Sequence, residues 1–189
     1  MNLPIKKKIY KPFALKQWDS LVSLNNAVTE SELPDYTKQY AWLNSINLTV
    51  PDDPLAVGLD TIKALIATVS NLRLQVAQKR VDAIYLQAEW KLAQMVFVCL
   101  VEQIRATAME SEEFVALKNK ESRDAYLQRT VNDQYLYLQQ QIDISVSRCA
   151  SYIEACRVMS AGLDAMYEGI SRQFSIVEHQ NQINKNGEE

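Results

Sequence analysis

The chain has 189 residues, of which 48% are apolar and 23% charged, and a net charge of −3. That length suits one domain with an arm, and the composition excludes a disordered chain. The charge excludes a uniformly basic nucleic-acid binder and leaves room for a local basic patch.

All five prolines fall at or before Pro54, so the rest of the chain is free to be helix. Few runs alternate with period two, and no sheet is expected.

Residues 1–11 read as an extended arm. Pro4 and Pro12 flank Lys6, Lys7, Lys8 and Lys11, with Ile5, Ile9 and Tyr10 interleaved. No apolar segment of signal-peptide type comes after them. Two readings stand: a solvated terminus, or a partner-binding arm (Lys6, Lys7, Lys8, Tyr10, Lys11) that tethers nucleic acid or an acidic protein surface. Pro12 to Ala27 is predicted to be helical, with Phe13, Trp18, Leu21, Val22 and Leu24 on its apolar face. A loop around Pro34 leads to a second short helix, from Tyr36 to Ile46. Trp18 and Trp42 are expected to anchor this N-terminal unit by core packing; stacking on bases is the alternative.

After a linker, Asp53 next to Pro54 marks a helix start: an acid at the N-cap and proline at the first position. From there one helix is predicted to reach Met109. Its stripe begins Ile62, Ile66, Val69, Leu72 and Val76. It resumes, rotated, at Val81, Ile84, Ala88, Leu92, Met95, Val96 and Cys99, with Trp90 off the stripe on a second contact surface. The most apolar window, Leu92 to Val101, is too short to span a bilayer.

The run Met109-Glu110-Ser111-Glu112-Glu113 loses the stripe and clusters acids, as a turn does, with Ser111 as N-cap of the next helical turn. A short helical piece through Leu117 leads to a final helix from about Ser122 to beyond Phe174. Its stripe includes Leu127, Val131, Leu138, Ile142, Cys149, Cys156, Leu163, Ile170 and Val177. Cys149 and Cys156 lie about 10 Å apart along the axis. That is beyond disulfide reach, and they read as reduced core thiols of a cytoplasmic protein.

Two long helices joined by a short turn fold back on each other. The expected fold is therefore all-α: a small N-terminal helical unit over residues 1–50, then a long antiparallel helical hairpin over residues 51–189. Stripes of this length exceed what two helices bury, so a homo-oligomer is expected. Gly162 and Gly169 share a face, and either weaken the helix locally or admit a close oligomer contact.

No catalytic constellation is present in the sequence. His179 is the single histidine, no Cys/His set has metal-ligand spacing, and no glycine-rich phosphate loop exists. The expectation is a non-enzyme without metal, cofactor or membrane partner. The remaining chemistry is charge placement. Arg105, Lys118, Lys120, Arg123 and Arg129 all lie toward the turn, where repetition around an oligomer offers a track for a phosphate backbone. Glu110, Glu112 and Glu113 sit at the same end, and a self-neutralising tip is the competing reading.

The second half resembles a known family. Glu89-Trp90-Lys91, Lys118-Asn119-Lys120-Glu121, the run Ser160 to Ala165, and Ile170-Ser171-Arg172 occur in that order. In this it is similar to the UvsY family of phage recombination mediators. The resemblance implies an all-helical oligomer that binds single-stranded DNA and works with a recombinase and a single-strand-binding protein. The family's Lys-x-Arg DNA-binding pair falls at Gln103 and Arg105, of which the arginine is kept. Residues 1–50 have no counterpart. Two other roles remain beside that one: a phage scaffold or connector, and a helical inhibitor or adaptor of a partner protein.

Overall fold

A computed structural model describes residues 20–131 and 133–186, with side chains given for 20–131 and 135–184. Among the described residues there are seven helices and no strand. They are α1 (Leu21–Glu30), α2 (Thr37–Ser45), α3 (Pro54–Val57), α4 (Leu59–Met109), α5 (Glu112–Ala116), α6 (Lys120–Thr130) and α7 (Asp133–Asn186). The fold is all-α, and α4 and α7 form a long antiparallel hairpin beside the short N-terminal helices.

Local sequence accounts for most helix ends. Ser20 caps α1 and exchanges hydrogen bonds with Ser23, so α1 begins at Leu21. Residues 12–19 of the expected first helix lie outside the described residues. Asp53 accepts from the backbone N–H groups of Leu55 and Ala56, with Pro54 at the first helical position, as expected. That helix lasts one turn, because Gly58 adopts φ 76° and ψ 161°, which only glycine takes without strain. Gly58 therefore separates α3 from α4. The expected final helix is also interrupted: α6 ends at Thr130, and Val131 at its C-cap has extended backbone angles. Thr130-Val131-Asn132-Asp133 pairs β-branched residues with cap formers, a poor helix interior.

The chain divides into two compact units, and neither is contiguous in sequence. One joins Tyr85–Arg148 to the segment ending at Pro34, and so holds α1, α5, α6 and the turn of the hairpin. The other joins Asp35–Ile84 to residues from Cys149 onward, and holds α2 and α3. In each, the α4 segment runs antiparallel to its α7 segment. Gln94 donates to Asp143 at 2.7 Å in the first unit, and Arg73 pairs with Asp164 at 2.6 Å in the second.

Burial keeps a strict seven-residue repeat. On α4 it takes Ile62, Val69, Val76, Ala83, Trp90 and Phe97. On α7 it takes Ile142, Cys149, Cys156, Leu163, Ile170 and Val177, with Leu138, Ser145 and Tyr152 on the second heptad position. This is a coiled-coil seam closed within one chain. The rotated stripe expected beyond Val76 is thus corrected. Trp90 is a fully buried core residue, while Val81, Ile84, Leu92 and Met95 face outward. The register does not jump because α7 presents an unbroken heptad.

Candidate nucleic-acid interface

The turn region of the first unit is built from caps and rings. Ser111 accepts from the N–H of Phe114 and starts α5, with Glu112 and Glu113 in its first turn, where the helix dipole favours acids. Asn119 accepts from Ser122 at 2.7 Å and starts α6. The Phe114 and Tyr126 rings pack 5.9 Å apart, and the Ser111 and Tyr126 hydroxyls meet at 3.1 Å. These contacts join the two short helices into one knob after Met109.

The five cations expected to act together fall in this region. Arg105, near the end of α4, and Lys118, Lys120 and Arg129 are exposed. Among the described residues none of these four makes an ion pair. Arg123 is exposed but engaged: its Nε donates to the Leu117 carbonyl at 3.0 Å, and its guanidinium lies 5.5 Å from the Phe114 ring centre. It thus helps hold the knob together, a role the sequence does not reveal. The terminal guanidinium nitrogens remain for another partner. All five cations belong to the same unit.

Residues 102–130 carry these five cations and six acids (Glu102, Glu110, Glu112, Glu113, Glu121 and Asp124), so the segment is close to neutral. The expected arm residues Lys6, Lys7, Lys8, Tyr10 and Lys11 lie outside the described residues.

The second unit handles charge differently. All three ion pairs among the described residues are there: Arg73–Asp164, Arg157–Glu154 and Arg172–Glu168. Two cations also sit over rings, Arg73 over Tyr167 at 4.8 Å and Lys79 over Trp42 at 4.6 Å. Trp42 is half-buried, as expected of an anchor; Trp18 lies outside the described residues.

A Tyr/Cys cluster docks α2 in this unit. Tyr152 is stacked on Tyr36 with ring centres 4.3 Å apart, Tyr40 meets it edge-on at 5.4 Å, and the Tyr36 hydroxyl donates to Cys149 Sγ at 3.4 Å. Burial, and then the neighbouring Cys156 thiol, push the Tyr152 phenol far up. Burial likewise raises the Cys149 and Cys156 thiols, with weaker opposition from Tyr36 and Tyr152. Thiols held neutral are poor nucleophiles, and this cluster serves packing. Gly162 and Gly169 meet no atom of this chain within 4 Å of a built Cβ, so no close approach within the chain requires them.

Among the described residues, no group of three or more His, Cys, Asp or Glu side chains has metal-site geometry. Helix α4 is long and apolar enough, by length and composition, to cross a bilayer, which the ten-residue window of the sequence does not suggest. Its most apolar 18 residues have a mean hydropathy of 1.3, and 28% of that window is buried. Protein-family models, curated proteins and solved structures were all compared with the chain, and none matches it.

Proposed function

We propose that the protein is a non-catalytic helical binding protein of phage recombination-mediator type, which works as an oligomer in the host cytoplasm. It holds single-stranded DNA by the phosphate backbone, without base specificity. One observation carries this reading. In the unit containing the turn, Arg105, Lys118, Lys120 and Arg129 are exposed and make no ion pair among the described residues, while three of the other unit's four arginines, Arg73, Arg157 and Arg172, are held in ion pairs. Free cations bind phosphate by releasing condensed counterions; paired ones must first give up a partner. The resemblance in the second half supports the same reading and adds its partners, a recombinase and a single-strand-binding protein.

Fluorescence anisotropy with labelled oligo-dT tests it. Affinity should fall steeply with salt, with a slope of about 0.7 in log K per log salt for each phosphate contact. Charge reversal at Arg105 and Lys120 should weaken binding about tenfold or more at low salt, on the scale of two lost phosphate contacts. Reversal at Arg157 and Arg172, in the other unit, should leave binding unchanged. No binding at about 20 mM salt, or equal losses from both pairs, defeats the reading.

A second reading, an assembly or adaptor protein, draws on a different feature: the outward face of α4 is apolar over many turns.

A further inference from the structure

Within the first unit, α4 has two apolar faces. One carries Trp90, Ala93, Phe97, Leu100 and Val101 and is buried. Directly opposite, Tyr85, Ala88, Leu92, Met95 and Cys99 point outward. Their spacing alternates three and four, the heptad spacing of a coiled-coil seam. The stripe continues through Glu102 to Ala106 and Met109, all exposed. Tyr85 and Met95 are 69% and 66% exposed, far more than residues of a closed core.

We infer that this outer stripe is a two-fold interface, on which the same α4 segment of a second copy packs antiparallel. It rests on the oligomeric part of the function proposed above, not on its nucleic-acid part.

Two physical reasons select a second copy as the occupant. The first is self-complementarity. Reversing the stripe on itself about Phe97 places Tyr85 opposite Met109, Ala88 opposite Ala106, and Met95 opposite Cys99. Bulky residues then meet flexible ones, small meet small, and the contact closes with itself, as a two-fold interface must. The same reversal answers the one charge on the stripe. Glu102 falls opposite Leu92, beside Lys91 of the second copy. Lys91 and Glu102 are both exposed, and neither makes an ion pair among the described residues. Symmetry makes this pair twice. A lipid surface offers Glu102 no such partner, and a carboxylate held against hydrocarbon is costly.

The second reason is size. From Tyr85 to Met109 the stripe runs about 36 Å, and one helix diameter is about 11 Å. That footprint is about 400 Å² in projection and more in accessible surface. It approaches the roughly 600 Å² per partner at the lower end of specific interfaces. It also matches the largest apolar patches of single soluble chains, about 300–600 Å², which often serve binding.

Light scattering and thiol crosslinking of the full chain test the inference together. Cys99 is the exposed cysteine; Cys149 and Cys156 are buried. In the reversed pairing the two Cys99 positions are offset by about 6 Å along the axis. A short bismaleimide should therefore give a covalent dimer at micromolar concentration, and Cys99→Ser should abolish it. Wild type should scatter at twice the chain mass of 21.6 kDa, or a multiple of that. Met95→Glu, on the exposed side, should return the mass to a monomer with unchanged helical circular dichroism.

A wild-type monomer at about 50 µM, well above the micromolar range of weak specific pairs, overturns the inference. So does a Met95→Glu variant that stays dimeric, or a monomer that instead binds phosphatidylcholine vesicles. Charge reversal at Arg105 and Lys120 should leave mass unchanged. If oligo-dT binding is absent while wild type remains a crosslinkable dimer, only the nucleic-acid reading falls.

Discussion

The two units use the same heptad hairpin but engage their arginines differently. In the unit formed by Asp35–Ile84 and the chain from Cys149 onward, three of the four arginines (Arg73, Arg157 and Arg172) are paired with acids, and α2 covers the seam with Tyr36 stacked on Tyr152. In the unit formed around Tyr85–Arg148, four cations at the turn make no ion pair among the described residues, and an apolar stripe of α4 is left uncovered. A group already satisfied inside the fold has little to offer a ligand, because binding must first undo the existing contact. On the function proposed above, recognition would fall to the unit around Tyr85–Arg148, called the recognition unit below, and the other, called the sealed unit, would serve stability.

Core truncation should give the largest effects and tests whether both seams carry weight. Trp90→Ala in the recognition unit removes a fully buried ring and should cost about 3–5 kcal/mol. Leu163→Ala, its counterpart in the other unit, should cost about 2–5 kcal/mol. Urea denaturation monitored by circular dichroism reads both. A loss under about 1 kcal/mol at either site would mean that seam contributes little.

Alkaline pH should act on the sealed unit through its thiols. Cys149 and Cys156 are raised in the fold above their ordinary value of 9.0, so the folded chain keeps protons that the unfolded chain has lost. Their contribution is complete below pH 9, begins to fall above it, and is gone once pH passes the raised folded values. Urea midpoints measured from about pH 7 to about pH 10.5 should decline, and the Cys149→Ala, Cys156→Ala variant should show a shallower decline. Equal slopes in the two proteins would remove the thiols from the account.

Loss of a cap should be smaller and confined to the recognition unit. Asn119→Ala removes the side chain that accepts from Ser122, at about 1 kcal/mol. It should loosen the start of α6 and lower oligo-dT affinity with it, if Lys120 and Arg123 are contacts.

The smallest effect should be a gain. Gly162 is exposed in an α-helix, with open space where a Cβ would point. Gly162→Ala should stabilise by about 0.5–1 kcal/mol. If it instead destabilises the oligomer, a neighbouring copy lies against that face and the sealed unit is an interface too.

Much of the architecture is legible in the chain. The absence of proline after Pro54, the Asp53-Pro54 start, the end at Met109 and the Ser111 cap are local signals, and each lies where local chemistry places it. Gly58 is less legible, since a single glycine marks a break only when its backbone takes a positive φ. The second heptad position at Tyr152 escapes a reading of periodicity, because a tyrosine on a helix becomes core only when other rings, here Tyr36 and Tyr40, arrive to cover it. Arg123 reads as a phosphate contact on charge alone. Its contacts to Phe114 and Leu117 depend on how α5 and α6 meet, which periodicity does not encode.

The sequence by itself determined that the chain is helical, that a first long helix ends at Met109 and a second folds back along it, and that α7 presents one continuous seam. Those outcomes come from spacing, caps and proline placement, all of which act within a few residues. The tertiary structure decided which of the two apolar faces of α4 is core. Both faces have helical periodicity; spacing alone favours Val81, Ile84 and Leu92, while the packed hairpin buries Ala83, Trp90 and Phe97. The physical reason is that burial belongs to a pair of surfaces. An amphipathic stripe says that a helix wants a partner, and only the partner's own heptad, docked in register, selects the stripe it covers.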